Sequence, residues 1–454
     1  MLYMKNKKLT AIFFLFIGII VLAIIGLGTR LGFMSREEQP KATRYKSGSE
    51  LTIFVATDIH YLAKSLIDNG QAFTKYVEEG DGRQLNYIGE ITDAFVEDIK
   101  EKKPEILIIS GDLTNHGEAA SHEELAGKLA EIEKQGTSVF VIPGNHDLLN
   151  PWARGFRGNA QYKVRSVDTK DFCRIYGAFG YNEAVLRDET TLSYLAAPAE
   201  DIWLLMLDTS QYNNNQVFGL PQTDGVISSS TLEWAQRCMD LAKENNAELI
   251  PIMHHNLMDH SEVITDGFTV NNSKEILELF KKNEVEFAMS GHIHIQDISS
   301  KDSVYDIVNS AFAVYPQQYG ILKYSPSAKT YSYSTSWVDV EKWAEHTAVK
   351  DDNLLNFKKY SEDFFGKLAY KMADKHLSNS GDYDAEERQK MAEVVRTLNI
   401  RYFAGMENMN SKDVMLSEGY RLWSIARDGF LKKYVESITA DKDTEDNSIQ
   451  ILLK

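Results

Sequence analysis

Cysteine is almost missing. Cys173 and Cys238 are the only two in 454 residues, so at most one internal disulfide can form and stability has to come from an apolar core. Proline and glycine are sparse as well, at 9 and 28, which excludes collagen-like and low-complexity chains. Basic charge is in deficit, with 49 Lys and Arg against 66 Asp and Glu and a net charge of −17. A nucleic acid polymer is therefore not an expected partner, because a phosphate backbone attracts basic surfaces. The deficit is uneven. Residues 1–35 carry Lys5, Lys7, Lys8 and Arg30 and no acid, so a charge of −21 falls on residues 36–454. A domain this acidic repels phosphorylated compounds unless a cation is bound inside it. The remaining composition, 43% hydrophobic and 25% charged, suits two or three globular units of roughly 100–200 residues each.

Charge is absent altogether from residues 9–29, an apolar run between Lys8 and Arg30. At about 1.5 Å per residue such a run spans a hydrocarbon core of about 30 Å. Read alone, it is an N-terminal transmembrane helix. A cleavable signal peptide fits less well, since its apolar region is shorter and ends at a small-x-small site. With lysines on the N-terminal flank, the positive-inside rule keeps that flank cytoplasmic and places the remainder outside. The expectation is a single-pass protein of the cell membrane, with its folded part extracytoplasmic. Residues 1–34 then form the cytoplasmic tip and anchor, and the polar, non-periodic residues 35–50 a tether.

Beyond the tether, six apolar runs alternate with helix-like stretches: 51–57, 105–110, 138–142, 202–207, 248–253 and 285–289. Buried strands separated by amphipathic helices indicate an α/β domain, here residues 51–340. Residues 305–314, 319–324 and 330–338 read as further strands completing a second sheet. From about residue 341 apolar positions recur at helical spacing. One stripe joins Phe357, Phe364, Leu368 and Met372; two others run through Met391 to Tyr402 and Leu416 to Ile438. Residues 341–454 are therefore expected to form a helical bundle, packed on itself and on the α/β domain or covering a ligand or partner of that domain.

Five of the six runs end in residues suited to metal binding: T-D-I-H with Asp58 and His60, S-G-D with Asp112, P-G-N-H-D with Asn145 and His146, H-H-N with His254 and His255, and S-G-H-I-H with His292 and His294. Ligands of open α/β sheets bind beyond the carboxyl ends of the strands, where these side chains fall. Asp58 and His60, two apart, point to the same side while the chain stays extended. Carboxylate, amide and imidazole donors without thiolate suit Mn, Fe or Zn, with Mn or Fe favoured, and argue against a structural zinc finger. There are too many donors for one tetrahedral ion. Two ions bridged by an aspartate accommodate them.

In this order and spacing, D58-x-H60, G111-D112, G144-N145-H146-D147, H254-H255 and G291-H292-x-H294 resemble the signature of the calcineurin-like metallophosphoesterases. The resemblance implies a sandwich of two mixed β-sheets flanked by helices, with a two-metal centre at one edge. It assigns Asp58, His60, Asp112 and His294 to one ion, and Asp112, Asn145, His254 and His292 to the other. Family members place the ligand directly after the strand, which favours His254 over His255.

Two departures narrow the chemistry. Phosphoprotein phosphatases of the family read G-D-x-V-D-R-G where this chain has G-D-L-T-N-H-G, so His116 replaces the arginine that grips a monoester, and Asn115 the aspartate that orients the catalytic histidine. Purple acid phosphatases carry a tyrosine where Asn115 stands. The motifs look most like the bacterial cyclic-nucleotide and glycerophosphodiester phosphodiesterases. The expected reaction is hydrolysis of a small phosphodiester by a metal-bridging hydroxide, with His146 as the general acid that protonates the leaving alkoxide. The alternatives are a phosphomonoesterase or nucleotidase on the same site, and a non-catalytic binding module. Trp152, Arg154 and Arg157, on the loop after Asp147, either contact substrate or pack the loop.

Overall fold

Strand Leu51–Ala56 (L-T-I-F-V-A) is buried along almost its whole length, as a strand covered on both faces must be. In this computed structural model, which describes residues 44–407, 411–427, 429–440 and 445–453, it lies inside a sheet. The order among the described residues is Ser448–Leu452, Thr330–Trp337, Gln318–Ser325, Leu51–Ala56, Ile106–Ser110, Ser138–Ile142. Leu51–Ala56 runs parallel to Ile106–Ser110 (Ile53 opposite Ile106) and antiparallel to Gln318–Ser325 (Ile53 opposite Leu322). A second sheet is ordered Asp297–Lys301, Val304–Val308, Phe287–Ser290, Glu248–Met253, Ile202–Leu207, Tyr194–Ala196, Leu186–Arg187. It too is mixed, parallel at its centre and antiparallel at both edges.

The two sheets share one core. Ile53, Val55, Ile106, Ile108, Val139 and Val141 of the first meet Leu204, Met206, Ile250, Ile252, Phe287 and Met289 of the second. Along Ile202–Leu207, Trp203, Leu205 and Leu207 point the other way. They pack with Trp234, Ala235 and Cys238 of helix Ser229–Glu244 and with Ile276, Leu277 and Phe280 of helix Ser273–Lys282. Side-chain alternation thus makes a layered sandwich flanked by helices.

Several expectations need adjusting. Residues 318–325 and 330–337 extend the first sheet rather than the second, because the edge of Leu51–Ala56 is where they find partners. Of residues 305–314, only those up to Val308 are strand. In helix Phe357–Ser380 the buried stripe is Phe357, Ser361, Phe365, Ala369, Ala373 and Leu377, while Met372 is exposed. Small residues won that face because helix Ala385–Phe403 packs closely on it: a methyl group on Gly366 would stand 2.9 Å from Arg396 Nε and Ile400 Cδ1. Near its C-terminus the chain returns to the sandwich as strand Ser448–Leu452, paired with Thr330–Trp337, with Asp446 buried before it.

The membrane localisation expected from the sequence is overturned. Among the described residues no helix is long and apolar enough to cross a membrane. The longest, Phe357–Ser380, carries Lys358, Lys359, Glu362, Asp363, Lys367, Lys371, Asp374 and Lys375, charges that a hydrocarbon core disfavours. The run 9–29 lies outside the described residues. Neither the transmembrane helix nor the single-pass, extracytoplasmic placement is retained.

Candidate metal centre

The loops leaving the strands do bring the expected side chains together. Asp58 and His60 follow Leu51–Ala56, Asp112 follows Ile106–Ser110, Asn145 and His146 follow Ser138–Ile142, His254 follows Glu248–Met253, and His292 and His294 follow Phe287–Ser290. They are not presented by extended chain. Asp58, His60, Asp112, His292 and His294 have φ of 53°, 47°, 47°, 69° and 70°, a left-handed region that costs a non-glycine residue about 1–3 kcal/mol. Five strained residues in one place require a surrounding structure that over-determines them.

That structure is visible. Asp58 Oδ2 accepts from Thr57 Oγ1 at 2.7 Å and from the His292 amide at 2.9 Å. Asp112 Oδ1 accepts from the His146 amide at 2.8 Å. Asp147, to which the sequence reading gave no role, accepts from the amides of Leu113, Thr114 and Gly144 at 2.9–3.0 Å and so ties two of the loops together. Gly291 permits close approach: a Cβ there would lie 2.0 Å from Thr57 Oγ1 and 2.7 Å from Asp58 Oδ2.

The remaining donor atoms face one another. His294 Nε2 lies 3.3 Å from Asp58 Oδ1 and 3.3 Å from His60 Nε2, and His60 Nε2 is 3.8 Å from Asp112 Oδ2. On the other side, His254 Nε2 lies 3.4 Å from Asp112 Oδ2 and 3.1 Å from Asn145 Oδ1. His292 joins Asp112 and His254 in a second converging group. Asp112 belongs to both groups, through Oδ2. Donors about 2.0–2.2 Å from a common ion stand roughly 3–3.5 Å apart, close to these separations. Asp58 Oδ1 is buried with no hydrogen-bond partner among the described residues. An orphaned carboxylate oxygen beside two imidazole nitrogens fits a cation, so the residues present suit the two ions that the resemblance implies.

Which histidine nitrogens face the centre is set by hydrogen bonds behind them, as is usual for ligating imidazoles. His254 donates Nδ1–H to Ser110 O at 3.0 Å, which turns Nε2 inward. His292 donates Nε2–H to Gly267 O at 2.9 Å, which turns Nδ1 inward. His255 faces elsewhere: Nδ1 accepts from Thr209 Oγ1 at 2.7 Å and Nε2 donates to Thr223 O at 2.9 Å. Both its nitrogens are committed away from the other histidines.

Charge follows the same logic. Burial opposes ionisation of Asp112, but His254 and His146 hold its carboxyl well below the usual range. Burial lowers His254, yet Asp112 outweighs it and raises the imidazole to about 9. Burial, reinforced by His254, takes His292 down to about 4, and burial with the Arg83 charge keeps His60 well below its usual value.

Tyr76, Asp81 and Arg83 were not singled out in the sequence, and His116 only as the replacement for an arginine. Arg83, from the insertion after His60, places Nη1 3.2 Å from His60 Nδ1 and donates Nε–H to Asp81 Oδ1 at 2.8 Å. With Tyr76, Asp81 and Leu85 it lines a cavity of about 400 Å³. His116 stacks on His146, ring centroids 5.1 Å apart, and its Nε2 lies 2.8 Å from Tyr76 Oη. The sequence places the insertion 61–87, with its G-D-G turn at Gly80–Gly82, at a strand end near the metals as a substrate wall, but does not single out Arg83 within it. Of the two alternatives open for Arg154 and Arg157, the contacts are those of loop packing, on the hairpin of strands Arg154–Arg157 and Ala160–Lys163: Arg154 donates to Trp152 O and Gln161 Oε1, and Arg157 lies over the Tyr162 ring.

Comparison with known proteins adds a probable cyclic nucleotide phosphodiesterase from Xenorhabdus bovienii, 26% identical over 190 residues. The match covers 42% of this chain, which spans 61% of that protein's length. Among solved structures, a dimetal phosphatase from Danio rerio is 11% identical, with TM-score 0.44, over 62% of this chain and 95% of that one. A putative 5′-nucleotidase from Staphylococcus aureus is 14% identical, with TM-score 0.36, over 61% of this chain and 51% of that one. Residues 339–445 match the family model for the C-terminal domain of cyclic nucleotide phosphodiesterase. Residues 51–296, more than half of the chain, match the model for calcineurin-like phosphoesterases, and the chain belongs to that family of hydrolases acting on phosphoesters.

Proposed function

We propose that the chain hydrolyses phosphodiesters, of the cyclic-nucleotide or glycerophosphodiester type, at a two-ion centre held by Asp58, His60, Asp112, Asn145, His254, His292 and His294. The observation that carries this reading is the position of Asp112 Oδ2, 3.4 Å from His254 Nε2 on one side and 3.8 Å from His60 Nε2 on the other. Two such ions, with Mn or Fe favoured by the donor set, would neutralise phosphoryl oxygens and lower the pKa of attacking water. His146 supplies the proton for the departing alkoxide. Its Nδ1–H is committed to Asn115 O, so Nε2 is the nitrogen offered to substrate. Side-chain exposure is 18% at both His146 and His294, against 0–1% at Asp58, His60 and Asp112, and substrate approaches from that open side. The match of residues 339–445 to a phosphodiesterase C-terminal domain supports a diester over a monoester.

The catalytic part is read as residues 51–340 and the helical part as 341–454. The small phosphodiester substrate belongs to this proposal, and no nucleic acid polymer is expected as a partner.

A second reading, phosphomonoester hydrolysis, gains from one observation. Arg83 brings to the centre a guanidinium of the kind that the G-D-L-T-N-H-G motif lacks, and a dianionic monoester gains more from a cation than a diester does. Turnover of bis-p-nitrophenyl and mono-p-nitrophenyl phosphate by Mn-loaded protein separates the two. The expected outcome is faster hydrolysis of the diester. A larger kcat/KM on the monoester, falling in Arg83→Gln, establishes the second reading in its place.

A further inference from the structure

Trp152 is 42% exposed, and Val217, Phe218 and Leu220, on the segment to which its indole is bonded through Gly219 O, are 80%, 56% and 46% exposed. Isolated exposed apolar residues are ordinary, but a contiguous patch beside a reactive centre marks a binding surface. This one is built. The short helix Asn215–Phe218 is fastened to the loop after His146 by three hydrogen bonds: Asn215 Nδ2 to Leu148 O at 3.2 Å, Gln216 Nε2 to Leu149 O at 2.9 Å, and Trp152 Nε1 to Gly219 O at 3.2 Å. Gly219 lies between Phe218 and Leu220, so the indole is held against the segment that carries both. The amide of Trp152 is fixed as well, donating to Asn150 Oδ1 at 2.9 Å.

The patch connects to the centre through rings. His60 meets His146 edge-on at 4.9 Å, His146 stacks on His116 at 5.1 Å, and His116 meets Trp152 edge-on at 5.9 Å. Trp152 ends this row on the side where His146 is open to solvent, so the organic part of a ligand whose phosphate sits by Asp112 can extend toward it. An alkyl chain gains chiefly by burial, which a rim this exposed does not give. A planar heteroaromatic ring gains from one face alone, and its polar edge remains in water.

We propose that Trp152, with Phe218 and Leu220 beside it, forms a subsite that stacks the base of a nucleotide whose phosphate occupies the Asp112 centre. The subsite deepens the phosphoesterase reading above and rests on it for the placement of the phosphate. It accounts for Trp152 being held open toward solvent while the arginines flanking it are tied to the hairpin.

Calorimetric titration of the full, Mn-loaded chain with adenosine 5′-monophosphate and, separately, with inorganic phosphate tests the subsite. The nucleotide is expected to bind about tenfold tighter than phosphate, at the low end of what stacking one base contributes. Trp152→Ala and Phe218→Ser should each shrink that ratio while leaving phosphate affinity unchanged, and Trp152→Phe should keep most of it. Equal affinities in the unaltered protein overturn the subsite, as does loss of both ligands together in Trp152→Ala. So does sedimentation of the unaltered protein, but not Trp152→Ala, with phosphatidylglycerol and phosphatidylcholine vesicles when the nucleotide shows no preference, since the patch then serves a lipid surface. Bis-p-nitrophenyl phosphate turnover, followed in parallel, separates the two claims. Turnover without nucleotide preference removes the subsite alone, and nucleotide preference without turnover removes the catalytic reading alone.

Discussion

His146 donates its Nδ1–H to the main-chain carbonyl of Asn115 at 2.6 Å. In the phosphoprotein phosphatase pattern an aspartate side chain orients the histidine, and Asn115 stands where that aspartate is missing. Here the main chain does the orienting, and the asparagine side chain is turned elsewhere, donating Nδ2–H to Tyr76 Oη at 3.3 Å.

That arrangement separates two substitutions at neighbouring positions. His146→Ala removes the proton donor and is expected to lower kcat on a poor leaving group by about 10²–10⁴, with metal content unchanged. Asn115→Ala keeps the carbonyl that holds His146 and should change kcat little. Steady-state kinetics with metal analysis of each variant checks both. Equal losses in the two would show that the Asn115 side chain, not its carbonyl, sets the imidazole.

Asp112 places Oδ2 between the two sets of donors, 3.8 Å from His60 Nε2 and 3.4 Å from His254 Nε2. Replacing it with asparagine leaves its shape and removes the charge that both halves of the centre use, so Asp112→Asn should lose bound metal from both positions along with activity. His254→Gln touches only one group, and should leave about one ion per chain held by Asp58, His60 and His294. Metal stoichiometry by inductively coupled plasma analysis after gel filtration distinguishes them. Two ions retained in Asp112→Asn would be incompatible with a shared carboxylate.

How legible this was in the sequence differs residue by residue. The donors stand out because each follows a continuous apolar run, and strands of that kind end where a sandwich opens to solvent. Their aim was misread: period-two alternation suggested that Asp58 and His60 share a side through extended chain, whereas both sit at positive φ and are held there by contacts from loops far away in sequence. No local pattern encodes such strain. Arg83 was missed for a related reason: the insertion 61–87 was placed near the metals by the strand end it leaves, but nothing in D-G-R-Q says which of its side chains reaches His60. The stripe on Phe357–Ser380 slipped because large apolar residues mark a helix face less surely than the small ones that let Ala385–Phe403 approach.

The last prediction concerns the loop behind His254. His260 is buried there between two carboxylates: Nδ1 hydrogen-bonds Asp297 Oδ2 and Nε2 meets Asp306 Oδ2 at 3.0 Å. Its carbonyl accepts from Tyr402 Oη, at 3.0 Å, across from helix Ala385–Phe403. Asp259 and Glu262 line the adjacent cavity and add no positive charge. Burial lowers the imidazole, but Asp297 and then Asp306 more than offset it and raise His260 to about 10. A histidine with a folded pKa above its unfolded value of about 6.5 stabilises the native state in full below that pH, and the contribution is lost as pH rises through about 10. The melting temperature should therefore fall from pH 7 to pH 10 more steeply in the unaltered chain than in His260→Gln, which should already melt lower at pH 7. Thermal unfolding followed by circular dichroism at five or six pH values checks this, with Tyr402→Phe as a control that removes a contact to the same loop but leaves the imidazole in place. If the two curves run parallel across that range, His260 is not the group whose proton holds the loop between Asp297 and Asp306.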